Sequence, residues 1–171
     1  LINNIIPDFI TSINIEVYLR ILLGVFVGFC IGWDRTAKNK PAGIKTYSFV
    51  TVASTLLTIV SVDLFHSYAK FGVTMMDPAR LAAQIPPALG FIGAGLILKE
   101  GRKVSGLTSA AMILFAGGMG ICIGAGYYGL VFFTLLLMLG VIKIGNWLEI
   151  RLSEPKEDDV LLREEIEKVT G

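Results

Sequence analysis

The sequence predicts an all-α, polytopic membrane bundle of about five transmembrane helices, with the N-terminus outside and the C-terminus in the cytoplasm. Three observations predict it. The 171 residues are 54% hydrophobic and only 17% charged, with a mean hydropathy of +0.70, whereas about a quarter of a soluble domain is charged. The uncharged residues also fall in runs: 17 from Thr46 to Val62, 18 from Leu81 to Leu98 and 39 from Val104 to Ile142. About 20 apolar residues cross a hydrocarbon core as helix, and soluble proteins rarely expose such stretches. Finally, the basic residues alternate between connections. Arg35, Lys38, Lys40 and Lys45 lie in the first, Lys99, Arg102 and Lys103 in the third, and Arg151, Lys156, Arg163 and Lys168 in the tail. The second connection holds only Lys70 and Arg80, and the fourth holds none. Positive residues mark the cytoplasmic side. This composition excludes a soluble enzyme, a nucleic-acid binder and a disulfide scaffold.

The expected spans lie near 17–33, 45–64, 80–98, 105–124 and 129–149. The 39-residue run holds two of them, divided at Gly124-Ala125-Gly126-Tyr127-Tyr128-Gly129, a turn signal with interfacial aromatics. The runs do not alternate with period two, which disfavours a transmembrane barrel. Residues 1–150 are read as the membrane domain and 151–171 as a charged cytoplasmic tail. In that tail Val160, Leu161, Ile166 and Val169 suggest an amphipathic helix.

The first and third connections resemble each other. One ends Ala42-Gly43-Ile44-Lys45-Thr46 and the other Ser105-Gly106-Leu107-Thr108-Ser109, 63 residues later. The pattern suggests two helix–loop–helix units of the same orientation. It places two helix starts beside Arg35, Lys45, Arg102 and Lys103. A helix start with adjacent cations can hold an anion, and the plainer reading is topogenesis with anionic lipid contact.

Glycines suggest how the helices meet. Gly24, Gly28 and Gly32 form a stripe on the first span, Gly120 and Gly124 repeat the spacing on the fourth, and Gly90, Gly93 and Gly95 crowd the third. Small residues four apart let membrane helices approach closely. Packing within the chain is the first expectation and a homodimer seam the alternative. Pro86 and Pro87 remove two backbone donors from the third span, which suggests a broken helix lining a cavity.

Polar groups at membrane depth complete the candidates. Fourteen steps separate Arg20 from Asp34, about 21 Å of helix against a core of about 30 Å. Their ends must therefore snorkel or pair inside. Arg20 is expected toward the outer face with Asp63 and Asp77, and Gln84, one turn past Arg80, is expected to face the bundle. Asp77-Pro78 reads as a helix start with Asp as cap. No nucleophile–base pair, phosphate loop or metal-ligand spacing is present, so neither catalysis nor a cofactor is expected.

Several stretches together resemble the MgtC/SapB family of small bacterial membrane proteins: Gly28-Phe-Cys-Ile-Gly32-Trp-Asp34-Arg35, Pro41-Ala-Gly43-Ile-Lys45-Thr46, Asp77-Pro-Ala-Arg80-Leu-Ala-Ala-Gln84, Gly90-Phe-Ile-Gly93-Ala-Gly95 and Gly106-Leu-Thr108-Ser109. They follow the family's order over roughly 17–145. The resemblance implies a cytoplasmic-membrane protein without known enzymatic activity, associated with low-magnesium adaptation, intracellular survival and virulence. It further implies a regulator that restrains a larger membrane complex, the F-type ATP synthase, rather than a magnesium carrier. Many family proteins carry a soluble C-terminal domain, so this chain resembles the short form or a truncated one. It departs from the family at Asp34-Arg35, where Glu-Arg is usual, at Lys45-Thr46-Tyr47, where Arg-Thr-His is usual, and at Pro86-Pro87. The competing expectation is a transporter or channel for an ion or small anion, using the third span, Arg20, Gln84 and the paired helix starts.

Overall fold

The computed structural model describes residues 15–68 and 77–152. The amphipathic tail expected over 153–171 and most of the loop expected over 65–79 lie outside the described residues. Five α-helices are present: α1 (Ile15–Ala37), α2 (Ile44–Tyr68), α3 (Ile85–Ala94), α4 (Leu107–Gly124) and α5 (Tyr128–Leu152). A two-stranded antiparallel hairpin, β1 (Leu98–Glu100) and β2 (Lys103–Ser105), precedes α4 and pairs Leu98 with Ser105, Lys99 with Val104 and Glu100 with Lys103. Gly101 takes the first of its two turn positions at φ 60°, which side-chain-bearing residues rarely adopt.

Four helices, α1, α2, α4 and α5, are long and apolar enough to cross a membrane. The third expected span is the correction. Residues 78–81 form a turn, Ala82–Gln84 a 3-10 turn, and only Ile85–Ala94 an α-helix. Ten residues rise about 15 Å, half a hydrocarbon core. The prolines explain the geometry. Pro86 and Pro87 lack the N–H groups that an α-ladder would direct to Ala82 and Ala83, so Ile85 N–H bonds back to Ala82 in the tighter 3-10 pattern. They occupy the first turn of α3, where a missing N–H costs little. They begin a helix rather than break one.

The chain divides into two compact units, residues 1–133 and 134–171. In the first, α2 lies between α1 and α4. The stripe of α1 rests on α2 in antiparallel order. A Cβ on Gly32 would stand 2.5 Å from Ile44 Cα, one on Gly28 2.5 Å from Ser48 Cα, and one on Gly24 3.1 Å from Thr55 Oγ1. The Gly24-Gly28-Gly32 stripe is therefore occupied by α2 within the chain, the first of its two expected roles. On the other side Gly120 and Gly124 meet α2 at Thr51, Ser54, Thr55 and Thr58. Contacts ascend α2 and α4 together, so the two helices are parallel, and they start at Ile44 and Leu107, the 63-residue offset of the repeated loops. The short α3 packs on α4 through Ile85, Leu89 and Gly93, with Leu89 lying against Gly117 and Gly93 against Ala110. Gly90 does not pack: it is exposed, and a Cβ there would meet no atom within 4 Å.

The second unit contributes residues 134–152 of α5. Its apolar side chains Leu136, Leu137, Val141, Ile144 and Trp147 are exposed, and Arg151 stacks over the Trp147 ring at 4.6 Å. Exposed apolar surface of this kind suits contact with lipid.

Candidate functional site

The two helix starts lie together at one end of the first unit. Thr36, at the end of α1, caps α2 by accepting the Ile44 N–H at 2.8 Å, and a Cβ on Gly43 would crowd that hydroxyl at 2.5 Å. Gly106 reaches the start of α4 at φ 86°, and a Cβ there would collide with the Leu96 carbonyl. The two look-alike glycines therefore serve different needs, close approach in one loop and a left-handed backbone in the other.

Arg35 crosses from α1 to α4 at this end. It is 7% exposed, and its Nη2 donates to Ser109 Oγ at 2.9 Å. The buried Tyr47 hydroxyl donates to the Ser109 carbonyl at 3.3 Å. Three elements thus converge on Ser109. The neighbouring Asp34 pairs instead with Lys38 one turn on, at 3.0 Å. Lys45, Thr108 and Arg102 are exposed and Thr46 is half-buried. The Lys103 side chain lies outside the described residues. Of the candidates near the helix starts, the structure joins Arg35 and Ser109 and leaves Lys45, Arg102 and Thr108 at the surface.

A row of buried hydroxyls climbs α2 from this end. Thr51 Oγ1 donates to the Tyr47 carbonyl at 2.9 Å, Thr55 to Thr51 at 2.8 Å and Thr58 to Ser54 at 2.8 Å. Thr55 also reaches the Gly120 carbonyl at 3.2 Å. Bonds to the preceding turn satisfy a hydroxyl without water, which suits a helix in lipid. The spacing 51, 54, 55, 58, 61 is helical, a signal of this row that is legible in the sequence and absent from the expectations drawn from it.

At the opposite end Arg20 is the organising group. Its Nε donates to the Tyr128 hydroxyl at 2.8 Å, its Nη1 to the Gly124 carbonyl at 2.5 Å and its Nη2 to Glu16 at 2.6 Å. Tyr128 also donates to Glu16 at 3.1 Å. A cation at the last carbonyls of α4 complements the helix dipole. Arg20 is expected at the same end as Asp63 and Asp77, without a named partner. Its partners are Glu16, one turn before it on α1, and groups more than 100 residues away, because the end of α4 closes over α1 at this point.

Nearby, Ser61 Oγ donates to the Pro78 carbonyl at 2.6 Å and accepts the Leu81 N–H at 3.3 Å, tying the third segment to the end of α2. Asp77 accepts the Ala79 N–H at 2.9 Å as a local cap, but the residues after it form a turn and not the helix start expected there. Arg80 and Gln84 are exposed. Gln84 therefore does not face the bundle, because the Ile85-Leu89-Gly93 row takes that position. Pro86 and Pro87 are also exposed. Among the described residues no group of three or more His, Cys, Asp or Glu could hold a metal ion.

The chain is similar to known bacterial proteins over most of its length. It is 40% identical to protein SapB of Bacillus subtilis over 154 residues, covering 88% of this chain and 66% of that protein. It is 34% identical to the putative magnesium transporter YhiD of Escherichia coli over 137 residues, 80% of this chain and 64% of the relative. It is 31% identical to protein MgtC of Salmonella typhimurium over 110 residues, 64% of this chain and 44% of the relative. The chain thus spans between under half and about two thirds of these relatives. No solved structure matches it. The MgtC family matches residues 21–151, from the residue after Arg20 to the last turn of α5, so it takes in the Arg35–Ser109 cluster while Glu16 and Arg20 lie just before it. The chain belongs to the MgtC family of bacterial membrane proteins.

Proposed function

We propose that this protein is a non-enzymatic regulator in the bacterial cytoplasmic membrane, acting on a larger membrane complex during low-magnesium or virulence-associated adaptation. By family resemblance the complex is the F-type ATP synthase. The observation that carries the reading is how the helices close on one another. Glycines of α1 and α4 meet the backbone of α2, and the hydroxyls between them bond to carbonyls of the bundle itself. A bundle packed in this way offers its outer apolar faces, such as Phe26, Phe29 and Trp33 on α1, to lipid and to partner helices.

The basic first and third connections lie at one end of the first unit, joined through Arg35 and Ser109. This supports a cytoplasmic location for that end under the positive-inside rule.

A transporter is the second reading. The name of the YhiD relative, a putative magnesium transporter, favours it. The buried Arg35 guanidinium weighs against a magnesium path at its end, because a fixed cation repels a divalent one. Reconstitution separates the readings. The purified chain in liposomes is expected to move none of Mg²⁺, H⁺, phosphate or K⁺, and Phe26→Ala with Phe29→Ala is expected to reduce co-purification of the membrane complex while leaving thermal stability intact. Flux by the purified chain alone would overturn the regulator reading.

A further inference from the structure

Arg35 is more than nine-tenths buried and donates to Ser109 Oγ in the first turn of α4, an 18-residue helix. Arg35 stands in the last turn of α1, where the helix dipole favours a cation, but its side chain reaches the start of another helix. The start of a helix is the positive end of its dipole, and the hydroxyls of Ser109 and Tyr47 are neutral. Among the described residues no carboxylate lies within ion-pair distance of Arg35, and its buried Nε has no hydrogen-bond acceptor. A buried cation without a counter-charge is strongly disfavoured, and an unmet buried donor adds to that. The helix start supplies further donors. The Ala110 N–H is the first to bond back along α4, to Gly106 at 2.9 Å, which leaves the N–H groups of Leu107, Thr108 and Ser109 ahead of the ladder. A guanidinium edge and a helix start therefore present donors and positive potential at one place, and the complement to both is an oxyanion.

We propose that Arg35 and the start of α4 bind a phosphate-class oxyanion, admitted from the rim that carries the exposed Thr108 and Lys45. The guanidinium fork matches phosphate oxygens, and backbone N–H groups at a helix start complete such sites. Inorganic phosphate and the headgroup of an anionic phospholipid present this same chemistry. The site goes beyond the regulator reading and holds whether or not a partner complex binds.

The full chain in phosphatidylcholine nanodiscs tests it, with thermal unfolding followed against inorganic phosphate at constant ionic strength. A parallel series replaces phosphatidylcholine by phosphatidylglycerol with no phosphate added. Saturable stabilisation is expected in at least one arm: by phosphate for a soluble source, by phosphatidylglycerol for a lipid source. Arg35→Lys and Ser109→Ala are expected to raise the half-saturating concentration at least tenfold. Lys99→Ala, a charge change on the hairpin outside the site, is expected to leave it within twofold. Because Arg35→Gln removes the uncompensated charge, that variant should unfold no earlier than the parent without ligand and should lose the response. The proposal is overturned if neither arm stabilises the parent chain, if Arg35→Lys and Ser109→Ala respond like it, or if Lys99→Ala weakens the response as much as they do.

Discussion

Replacing Gly28 by alanine tests the packing of α1 on α2. The added Cβ would stand 2.5 Å from Ser48 Cα and 2.8 Å from both Ser48 N and the Tyr47 carbonyl oxygen. Carbon atoms settle at about 3.5–4.0 Å, so the helices must part by about 1 Å, and the obstacles are backbone that cannot rotate away. A Cβ on Gly32 would stand 2.5 Å from Ile44 Cα on the same seam, so the backbones are equally close there, and parting the helices at Gly28 loosens that packing too. A gap of about 1 Å forfeits up to about half of each contact's dispersion energy. Overpacking a core costs about 1–3 kcal/mol, and two rigid backbones place this case at the upper end. The change also gains about 0.5–1 kcal/mol from alanine's lower conformational entropy in the unfolded chain. The net is a loss of about 2 kcal/mol, or a fall in Tm of roughly 4–8 °C for a chain of this size. Gly90→Ala is the matched control. It meets no atom within 4 Å and should gain about 0.5–1 kcal/mol. Thermal unfolding in one detergent, followed by circular dichroism, reads both. A Gly28→Ala chain melting at or above the parent, or a Gly90→Ala chain falling as far as Gly28→Ala, would refute the reasoning.

Three further changes probe other contacts. Arg20→Gln loses charge-assisted bonds to Glu16, Tyr128 and Gly124 and should lower stability by about 2–3 kcal/mol, whereas Tyr128→Phe should cost about 1 kcal/mol; denaturant titration separates them. Thr55→Val removes a hydroxyl bonded to Thr51 and Gly120 but keeps the shape, so the expected loss is about 1 kcal/mol or less. A larger loss by the same titration would mean that the hydroxyl row contributes more than local satisfaction. Pro87→Ala returns an N–H that can reach the Ala83 carbonyl, and amide exchange should show a protected amide at residue 87 and stronger protection at Ile85 and Ala88; an unprotected amide at 87 would mean that the 3-10 turn has another cause.

Four of the five expected spans were legible because hydrocarbon imposes a minimum apolar length, and the α4 and α5 division followed from the glycine-rich turn at 124–129. The third was misread because an apolar run does not tell whether prolines break a helix or start one; that depends on the 3-10 turn placed before them. The local bond of Asp77 was readable because its partner is two residues away, but the turn that follows it in place of a helix was not. The partners of Arg20 on α4 and α5 were not, since Gly124 and Tyr128 reach it only once the helices pack. The glycine spacing showed that close approach occurs, but not that α2 is what approaches. For this reason Gly28 tests folding, and the exposed face of α1 is where partner binding is tested. Arg35 was counted with the surface cations of its loop. Its burial follows from the last turn of α1 leaning on the start of α4, a contact 74 residues apart in sequence.

The account stands most directly on which side of the membrane the helix starts lie. With Cys30 and Cys122 replaced by serine, single cysteines at Lys40 and at Tyr127, both exposed, can be labelled by a membrane-impermeant maleimide in intact cells. The expected result is labelling of Tyr127→Cys from outside, and of Lys40→Cys only after the membrane is opened. Labelling of Lys40→Cys in intact cells, with Tyr127→Cys protected, would contradict it.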